Sequence, residues 1–311
     1  MAKIAFLFPG QGSQQVGMGR GFYEASPVAK EIFRRADEAL GFSLSRLCFE
    51  GPSEKLQLTA NTQPALLTVS YAAFSLLGHL PSIAAGHSLG EYSALVAAGA
   101  LEFEQAVQIV HRRGRYMQEA VPLGEGAMAA VLGARYEQVQ DAVQRVSGGV
   151  VEVANWNSHE QVVIAGHAHA VREALDFLKP ARSVMLPVSA PFHCRLMRSA
   201  EEKLSRDLDA VKFEDPSFPI VCNVDARIVR TGEEARDALK RQVTRTVLWQ
   251  ASMDVMREEG VRLFVELGSG RVLSGLIRRI GRTWPEPPAV VHAEDPDTLE
   301  QAKKTISGGF S

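Results

Sequence analysis

Hydrophobic positions along the chain alternate between short continuous runs and helical spacings, in an order that sets out strands and helices in turn. Lys3–Phe8 is an apolar run closed by Pro9 and a glycine-rich turn, the pattern of a buried strand. Ser26-Pro27 reads as a helix start, with Ser as N-cap and Pro at the first helical position. Val28, Ile32, Phe33, Ala36 and Leu40 then follow at helical spacing and predict one apolar face. Gln63-Pro64 is expected to open a second helix through Leu77, apolar almost all round and ended by Gly78, so an interior helix. A short strand is predicted at 83–85, then helices at 91–98 and 104–119. After Pro122 the pattern changes: strands at 127–132, 150–153, 161–165 and 183–188 are separated by helices at 136–146 and 169–178. That order is the split-βαβ pattern of a ferredoxin-like domain, inserted in a larger α/β chain. From His193 the α/β character returns, with strands at 219–223 and 263–266 and helices at 233–242 and 271–280, and 308–311 read as a loose end.

Gly86-His87-Ser88-Leu89-Gly90 fits G-x-S-x-G, with a predicted strand before it and a helix after it. In that context it is a nucleophile elbow: the serine sits on a tight turn with its hydroxyl facing a cleft, and the glycines let strand and helix approach. The N–H of Leu89 is then placed to donate to an oxyanion. A serine hydroxyl needs a base. Of the eight histidines, His79, His111, His159, His167, His169 and His292 have no special neighbours in sequence. His87 is adjacent to the serine, where side chains point apart. His193, in Ser189-Ala190-Pro191-Phe192-His193-Cys194, lies where the chain leaves the inserted domain and returns to the main sheet. The turn Pro9-Gly10-Gln11-Gly12-Ser13-Gln14 is not a phosphate loop, because Gln15 replaces the third glycine of GxGxxG and no Lys-Ser/Thr follows Gly17. It offers instead a second oxyanion donor at the same sheet edge.

Composition narrows the class. The 311 residues are 46% hydrophobic and 23% charged, enough to bury a real core. A net charge of -2, from 34 Lys+Arg against 36 Asp+Glu, is no footprint of a nucleic-acid binder. Three cysteines without a CxxC pair predict neither a disulfide framework nor a four-cysteine zinc site, and point to a reducing cytoplasm. No metal site is expected, since His167-x-His169 has no carboxylate or cysteine cluster beside it. No stretch approaches the roughly 20 apolar residues of a bilayer span, and the apolar run at 4–8 is too short for a signal peptide. Arg112, Arg113 and Arg115, read from the pattern alone, make a solvated helix face.

Taken jointly, Pro9-Gly10-Gln11-Gly12-Ser13-Gln14, Gln63-Pro64-Ala65-Leu66, Gly86-His87-Ser88-Leu89-Gly90-Glu91-Tyr92, Arg113-Gly114, Met117-Gln118-Glu119-Ala120, Gly126-Ala127-Met128, Asn155-x-Asn157-Ser158 and Phe192-His193-Cys194 resemble the malonyl-CoA:acyl carrier protein transacylases, over nearly the whole chain and in order. The resemblance implies an α/β fold: an α/β-hydrolase-like large domain with a parallel sheet, residues 1–124 and 190–311, and an inserted small ferredoxin-like α+β domain, residues 125–189. It implies Ser88 as nucleophile and His193 as general base, then acid. The N–H groups of Gln11 and Leu89 would form the oxyanion hole, and the backbone carbonyl of Gln242 would orient the histidine, with no acidic third member. Arg113 would hold the malonyl carboxylate. Its planar fork suits that task, because an unpaired buried carboxylate is costly and lysine cannot offer two parallel hydrogen bonds. Gln63, Asn155 and Asn157 would lie near the cleft, where polar turn and helix-start residues are the alternative reading. Phe192 is the bulky residue common in malonyl-selective members. Glu266-Leu267-Gly268-Ser269-Gly270 also matches the family and reads as a helix-start turn.

The activity implied is ping-pong transfer of malonyl from malonyl-CoA to the phosphopantetheine thiol of an acyl carrier protein, without a tightly bound cofactor, by a cytoplasmic monomer. A serine hydrolase or thioesterase on the same elbow, a trans-acting polyketide acyltransferase and an inert carrier-docking module are the alternatives. The pathway served, fatty acid or polyketide, is open. Arg195 and Arg198 are candidate contacts for an acidic carrier.

Overall fold

The computed structural model describes residues 3–178, 182–188 and 190–309. Ten strands form two sheets. β1 (Lys3–Phe8), β2 (Ile83–Gly86), β7 (Ile220–Val221), β8 (Ile228–Val229), β9 (Val261–Leu267) and β10 (Ala289–Ala293) make a six-stranded sheet in the order β10-β9-β1-β2-β7-β8. All its pairings are parallel except β7 with β8. β3 (Gly126–Leu132), β4 (Val151–Ser158), β5 (Gln161–His167) and β6 (Arg182–Met185) make an antiparallel sheet in the order β4-β5-β3-β6, with helices Tyr136–Arg145 and Ala168–Phe177 against it. This is the expected βαββαβ unit. The predicted strand at 183–188 shortens to end at Met185, the Leu186 N–H making a last bond to the Met128 carbonyl of β3 at 2.9 Å, and Ser189 lies outside the described residues.

β1, β2, β9 and β10 of the large sheet are covered by helices on both faces. Phe6 and Phe8 point into one core with Phe33, Leu66 and Tyr92, while Ala5 and Leu7 point into another with Trp249, Phe264 and Ile277. Alternate residues of one strand thus serve two cores. Parallel strands present their C-terminal ends on one edge, so the turns after β1, β2, β7 and β9 meet there, where open α/β sheets bind ligands. The two sheets are stitched together beside that edge: Val247 N–H donates to the Ala154 carbonyl at 2.9 Å, Trp156 N–H to the Val247 carbonyl at 2.9 Å, and Thr246 Oγ1 to the Val153 carbonyl at 2.7 Å.

Several expectations need correction. Pro64 does not open its helix, which runs Thr59–Leu77 and ends on Gly78. Proline there cannot bond the carbonyl of Ala60. His111, from the helix Phe103–Glu119, supplies the missing donor, its Nδ1–H reaching that oxygen at 2.8 Å, so it does have a special neighbour. Ser26 caps the helix Pro27–Leu40 as predicted, but Val28 is 51% exposed and Ala29 takes its place on the buried face. β4 extends past Val153 to Ser158 and carries Asn155 and Asn157. Gly308 is not loose but closes the helix Pro296–Gly308, while Phe310 and Ser311 lie outside the described residues. Helices Arg198–Asp209 and Trp249–Glu258 and strand β10 had no expectation in sequence.

Gly114 governs how closely two of the large domain's helices meet. A Cβ there would lie 2.5 Å from the Thr59 carbonyl oxygen and 2.6 Å from Ala60 Cα. Its absence lets Phe103–Glu119 press on the first turn of Thr59–Leu77, which brings Arg113 beside Gln63.

Candidate active site

Ser88 stands between β2 and the helix Leu89–Ala97 with φ 50° and ψ −103°. Such a backbone is unfavourable for a residue with a side chain and is held by its surroundings. Two glycines remove the obstacles. A Cβ on Gly86 would lie 1.8 Å from the Gly90 carbonyl carbon, and one on Gly90 would lie 2.0 Å from the Phe8 carbonyl oxygen. Asn223, just past β7, splints the turn: its Oδ1 accepts from Ser88 N–H at 2.7 Å and its Nδ2 donates to the Gly86 carbonyl at 2.8 Å.

His193 also has positive φ, 60°, and is 4% exposed. Its Nε2 lies 2.7 Å from Ser88 Oγ and its Nδ1 lies 2.9 Å from the Gln242 carbonyl oxygen. Since a carbonyl only accepts, the proton sits on Nδ1 and Nε2 is left as the acceptor for the serine hydroxyl. Burial, and next the Arg113 charge, lower the imidazole to about 3. It is therefore neutral near pH 7. The unfolded chain binds more protons than the folded one between about 3 and the ordinary 6.5, so the neutral histidine's contribution to stability is lost as pH falls through that window.

Arg113 is buried to 1% exposure, not part of a solvated face, with Tyr92's ring 5.5 Å from its guanidinium carbon. Nη1 donates to Gln63 Oε1 at 2.7 Å; Nη2 donates to Ser88 Oγ at 3.1 Å and to Gln242 Oε1 at 3.0 Å. Nε is buried with no partner among the described residues. A buried guanidinium with an unpaired donor beside a serine hydroxyl is a place for an anionic group. Arg112 and Arg115 turn outward to Asp207 and Glu119.

Leu89 is the first residue of its helix, so its N–H belongs to the set that no helical carbonyl can satisfy. The turn holding Gln11 abuts the elbow: a Cβ on Gly10 would lie 2.4 Å from the His87 carbonyl oxygen. Gln11, His87, Asn155 and Asn157 share a cavity of about 750 Å³ with Arg271 and Arg279. His87 Nε2 lies 2.8 Å from Asn157 Oδ1, turned away from the serine as adjacency predicts. A second cavity of about 450 Å³ reaches His193 and is lined by Arg195, Arg198 and Arg245. Arg195 pairs with Glu152 and Arg198 with Glu201 and Glu202. Phe192 is buried beside His193 in the chain. The Glu266 carboxylate accepts from Leu273 and Ser274 N–H at 3.0 and 2.7 Å, the helix-start role its motif suggested. Among the described residues no group of three or more His, Cys, Asp or Glu is arranged to hold a metal ion, and no helix is long and apolar enough to cross a membrane.

Residues 5–291 match the acyl transferase domain family. The chain belongs to that family. Within it, the chain is 46% identical to the malonyl CoA-acyl carrier protein transacylase of Bacillus subtilis strain 168, covering 98% of each chain. Its fold superposes on the malonyl CoA-acyl carrier protein transacylase of Coxiella burnetii with a TM-score of 0.93 at 40% identity, covering 97% of each chain. It superposes with a TM-score of 0.94 at 42% identity on a malonyl-transacylase solved in complex with its type II PKS acyl-carrier protein, covering 97% of this chain and 99% of that one. The likeness extends over both sheets, so the two-part α/β fold of this acyl transferase is that of the transacylases.

Two participants escaped the sequence reading. Asn223 closes a predicted strand in which it drew no notice, and Glu91 is an acid in a helix whose every other residue is small, apolar or buried. A lone carboxylate in such a helix is the signal that could have found the second.

Proposed function

We propose that this acyl transferase moves the malonyl group of malonyl-CoA to the phosphopantetheine thiol of an acyl carrier protein through an ester on Ser88. The observation that carries the reading is one oxygen with two neighbours: Ser88 Oγ lies 2.7 Å from a neutral imidazole and 3.1 Å from a buried guanidinium. The first makes a nucleophile and the second recognises an anionic acyl group. Ser88 Oγ attacks the thioester carbonyl while its proton passes to His193 Nε2. The N–H groups of Leu89 and Gln11 meet the oxyanion, the C–S bond breaks, and the imidazolium returns the proton to the CoA thiolate. The carrier thiol then enters by the same steps in reverse.

Arg113 receives the malonyl carboxylate, with Gln63 holding its other arm, and Gln242 orients the imidazole through its carbonyl. Asn155 and Asn157 line the approach and Phe192 limits the acyl pocket. A carbonyl rather than a carboxylate behind His193 gives a milder base, which suits transfer to a thiol over attack by water. The reading takes 1–124 with 190–311 as one part and 125–189 as the other, a division supported by the two sheets, one of which falls in each part. We read the protein as a monomer of the cytoplasm, a compartment that three buried free cysteines suit.

The test is intact-protein mass spectrometry after mixing with malonyl-CoA. A malonyl adduct that a pantetheinylated carrier discharges supports the reading. No adduct, or free malonate formed as fast as malonyl-carrier, overturns it. The pH profile provides a second check. Because His193 is held at about 3, kcat/KM for acylation is expected to stay level well below pH 6.5. Binding the carboxylate offsets the Arg113 charge, so the acid limb of kcat should lie at higher pH than that of kcat/KM. An acid limb of kcat/KM near 6.5 would contradict the buried, neutral imidazole.

A further inference from the structure

Glu91 has no part in the acyl-transfer steps, yet it sits in a buried polar cluster that touches Ser88, His193 and Arg113. The side chain is 1% exposed. Its Oε2 accepts from the backbone N–H of Asn223 at 3.0 Å and from Gln242 Nε2 at 2.8 Å. The same Gln242 amino group donates to the Ser88 carbonyl at 3.0 Å, and the Gln242 amide oxygen accepts from Arg113 Nη2 at 3.0 Å. The backbone carbonyl of that glutamine holds His193.

An amide side chain has two orientations, which exchange donor and acceptor ends. Turned over, Gln242 would set its carbonyl against Glu91 Oε2 and the Ser88 carbonyl, acceptor on acceptor, and its amino group against the Arg113 fork, donor on donor. The other two acceptors near that amino group are weak arbiters: the Ser88 carbonyl also accepts from Glu91 N–H at 3.1 Å, and Asn223 Oδ1, 3.4 Å from Gln242 Nε2, is already engaged by Ser88 N–H at 2.7 Å. Glu91 is the group facing Gln242 that has acceptor capacity to spare and little freedom to move. Burial raises it to about 7, but with or without a proton on its other oxygen, Oε2 remains an acceptor.

We infer that Glu91 is a positioning residue for acyl-group selectivity: by fixing the orientation of the Gln242 amide, it holds Arg113 Nη2 over Ser88 Oγ, where an acyl carboxylate has to be met. This rests on the reading of Arg113 as the carboxylate ligand. A group acting only on the fold would affect all acyl donors alike. A group acting through Arg113 affects a donor with a free carboxylate more than one without.

The measurement is kcat/KM for acyl-enzyme formation on the full chain with malonyl-CoA and with acetyl-CoA, expressed as their ratio. Glu91→Gln keeps an acceptor oxygen at the same place, and its ratio should stay within about threefold of wild type. Glu91→Leu removes the acceptor and should lower the ratio at least about tenfold, since small misplacements of a positioning group cost up to about a hundredfold. An unchanged ratio in Glu91→Leu, with both activities falling together, overturns the inference. Should the leucine variant fail to fold, Glu91→Asp retracts the carboxylate from Gln242 while keeping the site polar. A lowered ratio there supports the inference, and an unchanged one overturns it. The wild-type ratio tells the role of Arg113 from that of Glu91. A wild-type enzyme with no preference for malonyl removes the Arg113 reading and this inference with it, whereas a preference that survives in the variants removes this inference alone.

Discussion

Ser88→Ala is expected to abolish the malonyl adduct and to reduce transfer to the carrier by about 10⁴-fold or more, the scale on which removal of an activated serine acts. The hydroxyl is the only atom of that residue engaged by both His193 and Arg113, while the turn that carries it is built from elsewhere: Gly86 and Gly90 by what they lack, Asn223 by two hydrogen bonds. Alanine therefore leaves the elbow in place, and circular dichroism and thermal melting should be close to wild type. Transfer persisting within tenfold of wild type, with a correctly folded variant, would move the nucleophile to another residue.

Arg113→Ala is the second large effect. It should lower kcat/KM for malonyl-CoA by about 10²–10⁴-fold, because a malonyl carboxylate would enter a dry site without its partner, and losing one member of a buried charged pair costs about 3–5 kcal/mol. Acetyl-CoA should lose far less, so the preference between donors inverts. The same change removes the second cause that holds His193 low, so the acid limb of acylation should move to higher pH. Parallel steady-state kinetics with the two donors, repeated across pH, check both consequences. Equal losses for the two donors would show that the arginine supports the fold and not the choice of acyl group.

What could be read from the chain and what could not divides along physical lines. The elbow was legible because its requirements are local: a strand, two glycines that a Cβ would block, and a helix all lie within residues 83–97. The small domain was legible because its strands and helices follow one another in order along 126–185. Arg113 was placed only by resemblance, and His193 was pointed to by elimination of the other histidines and by its return to the main sheet before resemblance gave its role. Nothing near either in sequence says it will be buried against a serine that stands 105 or 25 residues away. Asn223 was invisible for the same reason, being joined to the elbow and to Glu91 across more than 130 residues, whereas Glu91 lies three residues from Ser88 and only its partners are remote. Pro64 misled because it looks like a helix start. The structure tolerates it inside a helix through the ring of His111, a remedy that local propensity cannot contain. Val28 misled by one position, as an apolar residue beside the true stripe can.

The stitch between the two sheets has a mechanical side. Thr246 and Val247 are bonded to β4 only a few residues after Gln242, whose carbonyl grips the imidazole. Rocking of the small lobe against the large one is therefore not free to occur at a distance from the chemistry: it either bends that short tether or tugs the base away from its hydroxyl. A carrier that wedges the lobes apart while delivering its thiol would be handling the proton acceptor at the same moment.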